Sequence, residues 1–378
     1  MRVGFVRKRA QGQWGGDLAA VRSLRAGLKE LGHAVEIASA STDLTECDFI
    51  LLANASHDLR EDCAHLLASG IPFGVIGFHE NLERQYSHCC SFVHCAMENP
   101  ERLIENPEMV ELFGYTPPAR AVGVMDFLQK AQVCIATSPT EARWIQEDFP
   151  ECRTEVLYLN PRITECASSS SFLDWTGLKK GEYVLQVGRI EMRKNQLASL
   201  LAMREEQMPL VFIATQSFNA AYEKMFFEAV VQWRRAPTWV ISQTHANQER
   251  GCLRILGMPN AEMLTSEMLL SAYAHAGLHL HPAFCELPGL TYLEAAKLGI
   301  PTVASEWATI KDYFIDPATG QYTLDDRIAY ALPYHIPAIR EQIHLQWSKT
   351  FDPKVSHPAL DRTSRDVAAA LIEILEKT

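Results

Sequence analysis

Two glutamates separated by seven residues are the first feature of the sequence with clear chemical potential. They bracket the run Glu286-Leu-Pro-Gly-Leu-Thr-Tyr-Leu-Glu294, between an apolar segment at 278–281 and a helical pattern at 290–298. Glu286 is therefore expected in the loop after a strand, and Glu294 about one turn into a helix. Two such carboxylates can accept charge-assisted hydrogen bonds from the hydroxyls of one polyhydroxylated ligand. On spacing alone, an ordinary loop acid and a solvated helix acid remain the alternative.

A second feature is a glycine followed by cations, in Gly188-Arg189-Ile-Glu-Met-Arg-Lys194-Asn195. It follows a strand predicted at 183–187 and leads into a helix. A glycine with two cations at a helix start can hold a diphosphate. The alternative is a charged turn that is merely solvated.

Gly15-Gly16 lies at the first strand-to-helix turn, where glycine lets the backbone approach a phosphate or a sugar. The surrounding run Gly12-Gln13-Trp14-Gly15-Gly16-Asp17 lacks the Gly-x-Gly-x-x-Gly pattern of dinucleotide sites. A nicotinamide-dependent enzyme is therefore disfavoured.

The elements that must position these residues alternate between strand and helix. In the first half, strands are predicted at 2–6, 34–37, 48–52, 72–76, 133–136 and 155–159, and helices at 18–31, 57–68 and 140–147. A segment rich in Pro, Thr and Ser at 161–173 reads as a linker, after which the alternation restarts and ends in an amphipathic helix at 365–375. This pattern predicts an α/β protein of two doubly wound domains, with a ligand cleft at the carboxyl ends of both sheets.

Length and charge agree with this division. The chain has 378 residues, enough for two domains of about 150–200 residues, and a net charge of −11 from 35 basic and 46 acidic residues. No basic footprint for long nucleic acids is present. Ten scattered cysteines and the lack of a signal peptide or an 18-residue apolar run predict a soluble, cytoplasmic chain with reduced thiols. Weak peripheral membrane contact stays open.

Histidines and cysteines also crowd into His88-Cys89-Cys90-Ser-Phe-Val-His94-Cys95. The ligand types suit zinc, but the spacing contains no Cys-x-x-Cys pair, so a structural or acceptor-side segment without metal is the favoured interpretation. His275, His279 and His281 lie in or beside a predicted core strand and are interpreted as packing residues.

Taken together, the order and spacing of these motifs resemble the retaining glycosyltransferases of family 4, which have the GT-B fold. The likeness is carried by the Arg189 and Lys194 pair, the two glutamates, and the flank Leu293-Glu294-Ala295-Ala296-Lys297-Leu298-Gly299-Ile300-Pro301. It extends more weakly to residues 1–38 and 131–160. The resemblance implies four units: an N-terminal domain at 1–162, a linker at 163–175, a nucleotide-sugar-binding domain at 176–360 and a closing helix at 361–378.

The resemblance also implies a function and roles for residues. The chain would transfer a sugar from a nucleotide-diphosphate sugar with retention, in cell-envelope glycan or glycoconjugate synthesis, using no cofactor and no metal. Arg189 and Lys194 would neutralise the diphosphate, Glu286 would bind the donor sugar, and His79 would lie beside the reaction centre. The implied donor-binding set is Gly15, Gly16, Gly188, Gly289, Leu290 and Glu294, with Glu294 on the ribose.

Two departures from the family pattern concern the donor sugar. Leu287-Pro288-Gly289 replaces a glycine-aromatic-glycine, and Pro288 has no N–H to donate. Trp307-Ala308-Thr309 replaces a small Gly-Gly turn. The nucleobase, sugar and acceptor (a sugar, a lipid-linked glycan or another molecule) stay open. A non-catalytic nucleotide-sugar-binding protein and a nucleotide-sugar epimerase are the alternatives.

Overall fold

A computed structural model describes residues 1–7, 16–38, 44–53, 69–80, 82–105, 128–163, 169–214, 219–258 and 266–378. The first part of the chain contains strands β1 (Arg2–Arg7), β2 (Ala34–Ala38), β3 (Phe49–Ala53), β4 (Phe73–Ile76), β5 (Val133–Ala136) and β6 (Thr154–Val156). Its helices are α1 (Gly16–Glu30), α2 (Leu82–Glu98), α3 (Pro100–Glu105) and α4 (Pro139–Asp148). The helix predicted at 57–68 lies outside the described residues, and the strand predicted at 155–159 ends earlier, at Val156.

The second part contains strands β7 (Val184–Val187), β8 (Leu210–Ala214), β9 (Thr238–Ser242), β10 (Gln248–Arg250), β11 (Leu253–Gly257), β12 (Leu278–His281), β13 (Thr302–Ser305) and β14 (Ile328–Ala331). Its helices are α5 (Ser171–Thr176), α6 (Gln196–Ala202), α7 (Ala220–Trp233), α8 (Ser266–Ala274), α9 (Leu290–Lys297), α10 (Ile336–Trp347), α11 (Pro358–Asp361) and α12 (Ser364–Leu375). Short 3₁₀ turns occur at Met192–Lys194 and Thr309–Tyr313. Part of the predicted linker is helical, because α5 begins within it at Ser171. The Phe172 side chain of this helix is buried against Tyr183.

The strands form two sheets, which confirms the predicted α/β class. One has six parallel strands in the order β2-β1-β3-β4-β5-β6, and the other has eight in the order β10-β11-β9-β8-β7-β12-β13-β14, with only β10 antiparallel. Helices cover the sheet faces, so central strands such as β5 and β8 are apolar and buried throughout. The strand order reverses between β1 and β3 and again between β7 and β12. Open α/β sheets bind ligands at such reversals.

Two helical segments link the sheets through their side chains. Helix α2 places Cys89 and Phe92 in the apolar core of the eight-stranded sheet, where the Phe92 ring lies 5.6 Å from that of Phe284. At the other end, α12 packs on α1, and Ser364 Oγ lies 2.8 Å from Ser23 Oγ. A capping box between Thr363 and Asp366 begins α12. No described helix has both the length and the apolar character needed to cross a membrane.

Candidate functional site

The two charged motifs meet because the strands that carry them are neighbours. β7 is followed directly by Gly188, and β12 is followed by the loop that contains Glu286. The two strands pair in parallel, with Leu278 beside Val184. Their carboxyl ends therefore lie at one edge of the sheet, at the point where the strand order reverses.

Lys194 and Glu286 form an ion pair at this edge. Lys194 Nζ contacts Glu286 Oε2, and the two side chains are 12% and 11% exposed. His281 Nε2 lies 3.2 Å from the same oxygen. Burial alone would raise the pKa of Glu286, but Lys194 and His281 outweigh it and hold that pKa well below its ordinary value. Glu286 is thus ionised, and no described residue donates a hydrogen bond to its Oε1.

The remaining charges of the basic motif are shared with two more carboxylates. Arg189 Nη2 lies 3.4 Å from Glu191 Oε1, and Arg193 Nε donates to the same oxygen at 2.9 Å. Arg193 also pairs with Glu80, which belongs to the first part of the chain. Burial would raise the pKa of Glu191, but Arg193 and then Arg189 lower it overall. A bound anion would therefore compete with protein carboxylates for these cations.

Two of the predicted glycines have a positive φ that disfavours a side chain, and one of them is also closely packed. Gly289 has a φ of +89° and precedes α9; a Cβ there would lie 2.4 Å from the Tyr292 ring and 2.8 Å from Glu286 Cγ. Gly188 has a φ of +153°, and a Cβ there would lie 3.4 Å from His281 Cε1. Leu290, the first residue of α9, is buried. The N–H groups of a first helical turn have no partners within the helix and can bind an anion.

Glu294 is enclosed rather than open. Its side chain is 0% exposed and is held by Arg162, whose Nη2 donates to Oε2 at 2.9 Å while Nε contacts Oε1. Arg162 is 39% exposed, and the neighbouring carboxylate raises its pKa. A ligand can therefore reach the Glu294 carboxylate only after a covering side chain has moved.

His79 follows β4 in the first sheet and is held by acids. Its N–H donates to Glu141 Oε1 at 2.7 Å, and its Nε2 lies 2.6 Å from Asp148 Oδ2. The preceding Phe78 has a φ of +45°, a conformation that costs a non-glycine residue energy and is often found at functional sites. Gly16 begins α1, while Gly15 lies outside the described residues.

The His88–Cys95 segment lies on α2, and its members face different surroundings. Cys89 and Cys95 are free thiols in the apolar core. The His88 ring lies 5.0 Å from that of Trp307, and His94 pairs with Glu98 at 3.1 Å. Across the described part of the chain, no group of three or more His, Cys, Asp or Glu side chains is placed to hold a metal.

Two contacts of the site were missed at the level of sequence. His281 was interpreted as a packing residue, yet it also contacts Glu286; its place at the end of β12, five residues before Glu286, is the signal that could have revealed this. Arg162 lies in the segment rich in Pro, Thr and Ser at 161–173, 132 positions from Glu294, and nothing local in the sequence joins the two.

Comparisons with known proteins were made by sequence and by structure. A scan of protein-family models and a search of curated protein sequences each give no match. Solved structures do match. A sucrose-phosphate synthase from Thermosynechococcus elongatus is 15% identical with a TM-score of 0.60, and 100% of this chain and 98% of that chain are covered.

Two further structures resemble the chain to a similar degree. The Anabaena protein HepE, in complex with UDP-glucose, is 13% identical with a TM-score of 0.61, and both chains are covered in full. The catalytic domain of starch synthase IV from Arabidopsis thaliana, bound to ADP and acarbose, is 12% identical with a TM-score of 0.58, covering 100% of this chain and 98% of that one. With its two parallel sheets, the chain has the fold of the GT-B glycosyltransferases, as predicted.

Proposed function

We propose that the protein is a retaining glycosyltransferase that uses a nucleotide-diphosphate sugar. The observation that carries this proposal is the meeting of Lys194 and Glu286 where the strand order reverses between β7 and β12. A cation and a carboxylate at this point match the two ends of such a donor, the diphosphate and the sugar hydroxyls. The nucleotide and nucleotide-sugar complexes of the structural neighbours support a donor of this class.

The basic motif would act on the leaving group. Arg189 and Lys194 neutralise the charge that develops as the nucleoside diphosphate departs, which is preorganised electrostatic stabilisation. Lys194 has a long flexible stem, so it can leave Glu286 for a phosphate oxygen when the donor binds. The departing phosphate oxygen takes the acceptor's proton on the same face of the sugar, so no protein nucleophile is needed and the configuration is retained.

The two glutamates would recognise different parts of the donor. Glu286 binds donor-sugar hydroxyls through the oxygen that Lys194 and His281 leave unoccupied. Glu294 binds the ribose hydroxyls after Arg162, the more exposed member of that pair, has moved aside. Gly188, Gly289 and Leu290 provide backbone close to the diphosphate.

The first domain would complete the reaction centre. Gly15, Gly16 and His79 lie before the linker and are proposed to approach the donor sugar and the acceptor. The hydrogen bond from the backbone N–H of His79 to Glu141 would hold the histidine at the end of β4. The acceptor is a sugar, a lipid-linked glycan or another molecule, in cell-envelope glycan or glycoconjugate synthesis.

A thermal-shift screen against nucleoside diphosphates and nucleotide sugars tests the proposal. A ligand at 100 times its Kd stabilises a protein by about 2.7 kcal/mol, so the correct nucleotide will stand out. Lys194→Ala should lose this shift, whereas Lys349→Ala, which removes a lysine paired with Asp326, should keep it. Absence of any shift across the panel in the unmodified chain would contradict the proposed donor class.

Turnover separates the alternatives. A transferase releases nucleoside diphosphate only with an acceptor or water, and an epimerase changes the sugar without releasing nucleotide. A non-catalytic binding protein shows the thermal shift with neither product.

We also propose that no metal takes part. Arg189 and Lys194 do the electrostatic work that a divalent ion does elsewhere, and the sequence contains no Asp-x-Asp to hold an ion against a diphosphate. Transfer should survive EDTA at full rate; restoration of lost activity by Mg²⁺ or Mn²⁺ would refute this part of the proposal.

The proposed domains are 1–162, 163–175 as linker, 176–360 and 361–378. Reaction between residues on both sides of the linker requires the domains to approach, and hinge closure around a ligand is common in two-domain clefts. Small-angle scattering should therefore give a smaller radius of gyration with bound nucleoside diphosphate. An unchanged radius at saturating ligand would argue against closure.

A further inference from the structure

The Glu286 carboxylate has a second protein partner that differs in kind from the lysine. Lys194 Nζ and His281 Nε2 both contact Oε2, the histidine at 3.2 Å, so both protein contacts fall on one oxygen. Oε1 has no donor among the described residues. The protein therefore holds the carboxylate through Oε2, and Oε1 can accept hydrogen bonds from a ligand.

His281 is held far more rigidly than Lys194. Its side chain is 1% exposed, and its carbonyl accepts a 2.5 Å hydrogen bond from the Tyr292 hydroxyl. The Tyr292 ring packs edge-on against the imidazole of His281, with 5.4 Å between the ring centroids. The His279 ring is stacked with that imidazole, with 6.0 Å between the centroids and 9° between the ring planes. Gly188 lies beside the ring, and a Cβ there would be in ordinary van der Waals contact with Cε1, at 3.4 Å.

The protonation state of His281 follows from its surroundings. Burial lowers the pKa of His281 below 6.5 in spite of the raising effect of Glu286, so the ring is neutral near pH 7. A neutral imidazole carries one proton, on either nitrogen. A bare Nε2 lone pair facing an ionised carboxylate would be repelled, so the proton lies on Nε2 and is donated to Glu286.

We propose that His281 is a positioning residue for Glu286: it anchors Oε2 and keeps Oε1 directed at the donor sugar when Lys194 turns to the diphosphate. This inference rests on the proposed function, in which Lys194 neutralises the leaving group. A lysine shared between carboxylate and phosphate cannot fix the carboxylate at the moment of transfer. A rigid, uncharged donor on the same oxygen can.

The test uses three variants of one strand. His281→Phe removes the donor but keeps a ring, and His281→Gln restores an N–H near the position of Nε2. His279→Phe is the matched control, because His279 is equally buried on the same face of β12 and neither of its ring nitrogens has a partner in the described structure.

Donor kinetics and nucleotide binding are measured for each variant. For His281→Phe we expect kcat/KM for the donor to fall about 10- to 100-fold, as for loss of a hydrogen bond to a charged group. The Kd of the bare nucleoside diphosphate should change less than about twofold. His281→Gln should recover most of the loss, and His279→Phe should resemble the unmodified chain in both measurements. Equal losses for sugar donor and bare nucleotide would overturn the proposal.

A second measurement needs no turnover. Urea unfolding of His281→Phe, Glu286→Gln and the double variant forms a double-mutant cycle, and we expect non-additivity of about fivefold or more in the unfolding equilibrium constant. The cycle with His279→Phe should be additive. An additive His281 cycle would overturn the positioning role whatever the activity. A non-additive His281 cycle could also occur together with no thermal shift of the unmodified chain by any nucleotide. That result would contradict the proposed function, and the positioning role with it.

Discussion

The ion pair between Arg162 and Glu294 leads to an asymmetric prediction, because its two members differ in exposure. Glu294 is 0% exposed and Arg162 is 39% exposed. Removing one partner of a buried pair typically costs about 3–5 kcal/mol, because a buried charge is left alone. Arg162→Ala leaves the fully enclosed carboxylate without its cation, so it should lower the free energy of unfolding by about 3–5 kcal/mol. Glu294→Gln leaves a guanidinium that already reaches water and should cost only about 1 kcal/mol.

The double variant Arg162→Ala/Glu294→Gln gives the sharpest comparison. It contains no stranded charge, so it should be more stable than Arg162→Ala alone, by about 2 kcal/mol or more. The measurement is urea-induced unfolding followed by fluorescence and circular dichroism at pH 7, with Lys297→Ala, which loses a more exposed pair with Asp361, as the control. The assigned electrostatics are wrong if Glu294→Gln lowers the free energy of unfolding more than Arg162→Ala does. They are also wrong if adding Glu294→Gln to Arg162→Ala does not raise that free energy.

The same pair connects stability to ligand binding. In Arg162→Ala the carboxylate lacks its cationic partner, so ribose hydroxyls arriving at Glu294 would supply hydrogen bonds in its place. Nucleoside diphosphate should therefore raise the unfolding midpoint of Arg162→Ala by more than that of the unmodified chain at the same occupancy. A smaller rise would place the ribose elsewhere.

Three further results are expected. Lys194→Ala should lower turnover about 10²- to 10³-fold, as for loss of one preorganised stabilising group; an unchanged rate would remove Lys194 from the leaving-group site. Gly289→Ala should destabilise the protein by about 1–3 kcal/mol or more, because its φ is +89° and the new Cβ would overlap the Tyr292 ring; thermal unfolding measures this. Burial lowers the pKa of His279 well below 6.5, so the unfolded chain binds the extra proton. The contribution of His279 to the free energy of unfolding is then fully present above about pH 6.5. As the pH falls below that value, the free energy decreases by about 1.4 kcal/mol per pH unit. His279→Phe should lack this component, and equal slopes between pH 5 and 6.5 in both proteins would disprove it.

Much of the fold could be predicted because each element has a local pattern. β5 and β12 were predicted with the bounds that the structure gives them, since buried parallel strands are short apolar runs between turns. Helix ends were set by residues such as Gly32 after α1, which has a φ of +85°. The strand predicted at 155–159 was too long, because apolar character continues past Val156 to Leu157 and Leu159, which are buried in a core beyond the end of β6.

Within the site, prediction depended on distance along the chain. Glu286 and Lys194 could be assigned to one cleft because each lies in the segment that follows a strand, and open α/β sheets bind ligands at the carboxyl ends of their strands. The partner of Glu294 could not, because Arg162 has an ordinary sequence setting and only the packing of the whole chain brings it there. The charge balance around Arg193 was likewise hidden, because its partner Glu80 lies after a strand of the other sheet.

Contacts between the two parts of the chain restrict how any closure can occur. Asp312, in a 3₁₀ turn of the second part, accepts a 2.8 Å hydrogen bond from the N–H of Thr140 in the first turn of α4. The Tyr313 hydroxyl donates to the Thr137 carbonyl at 2.9 Å. Helix α2 shares its apolar core with the eight-stranded sheet, so separating it would expose buried side chains such as Phe92. Residues 82–105 should therefore move with the second sheet, which carries Lys194, although they precede the linker in sequence. A hinge that kept them with the first sheet would have to expose this hydrophobic core to water.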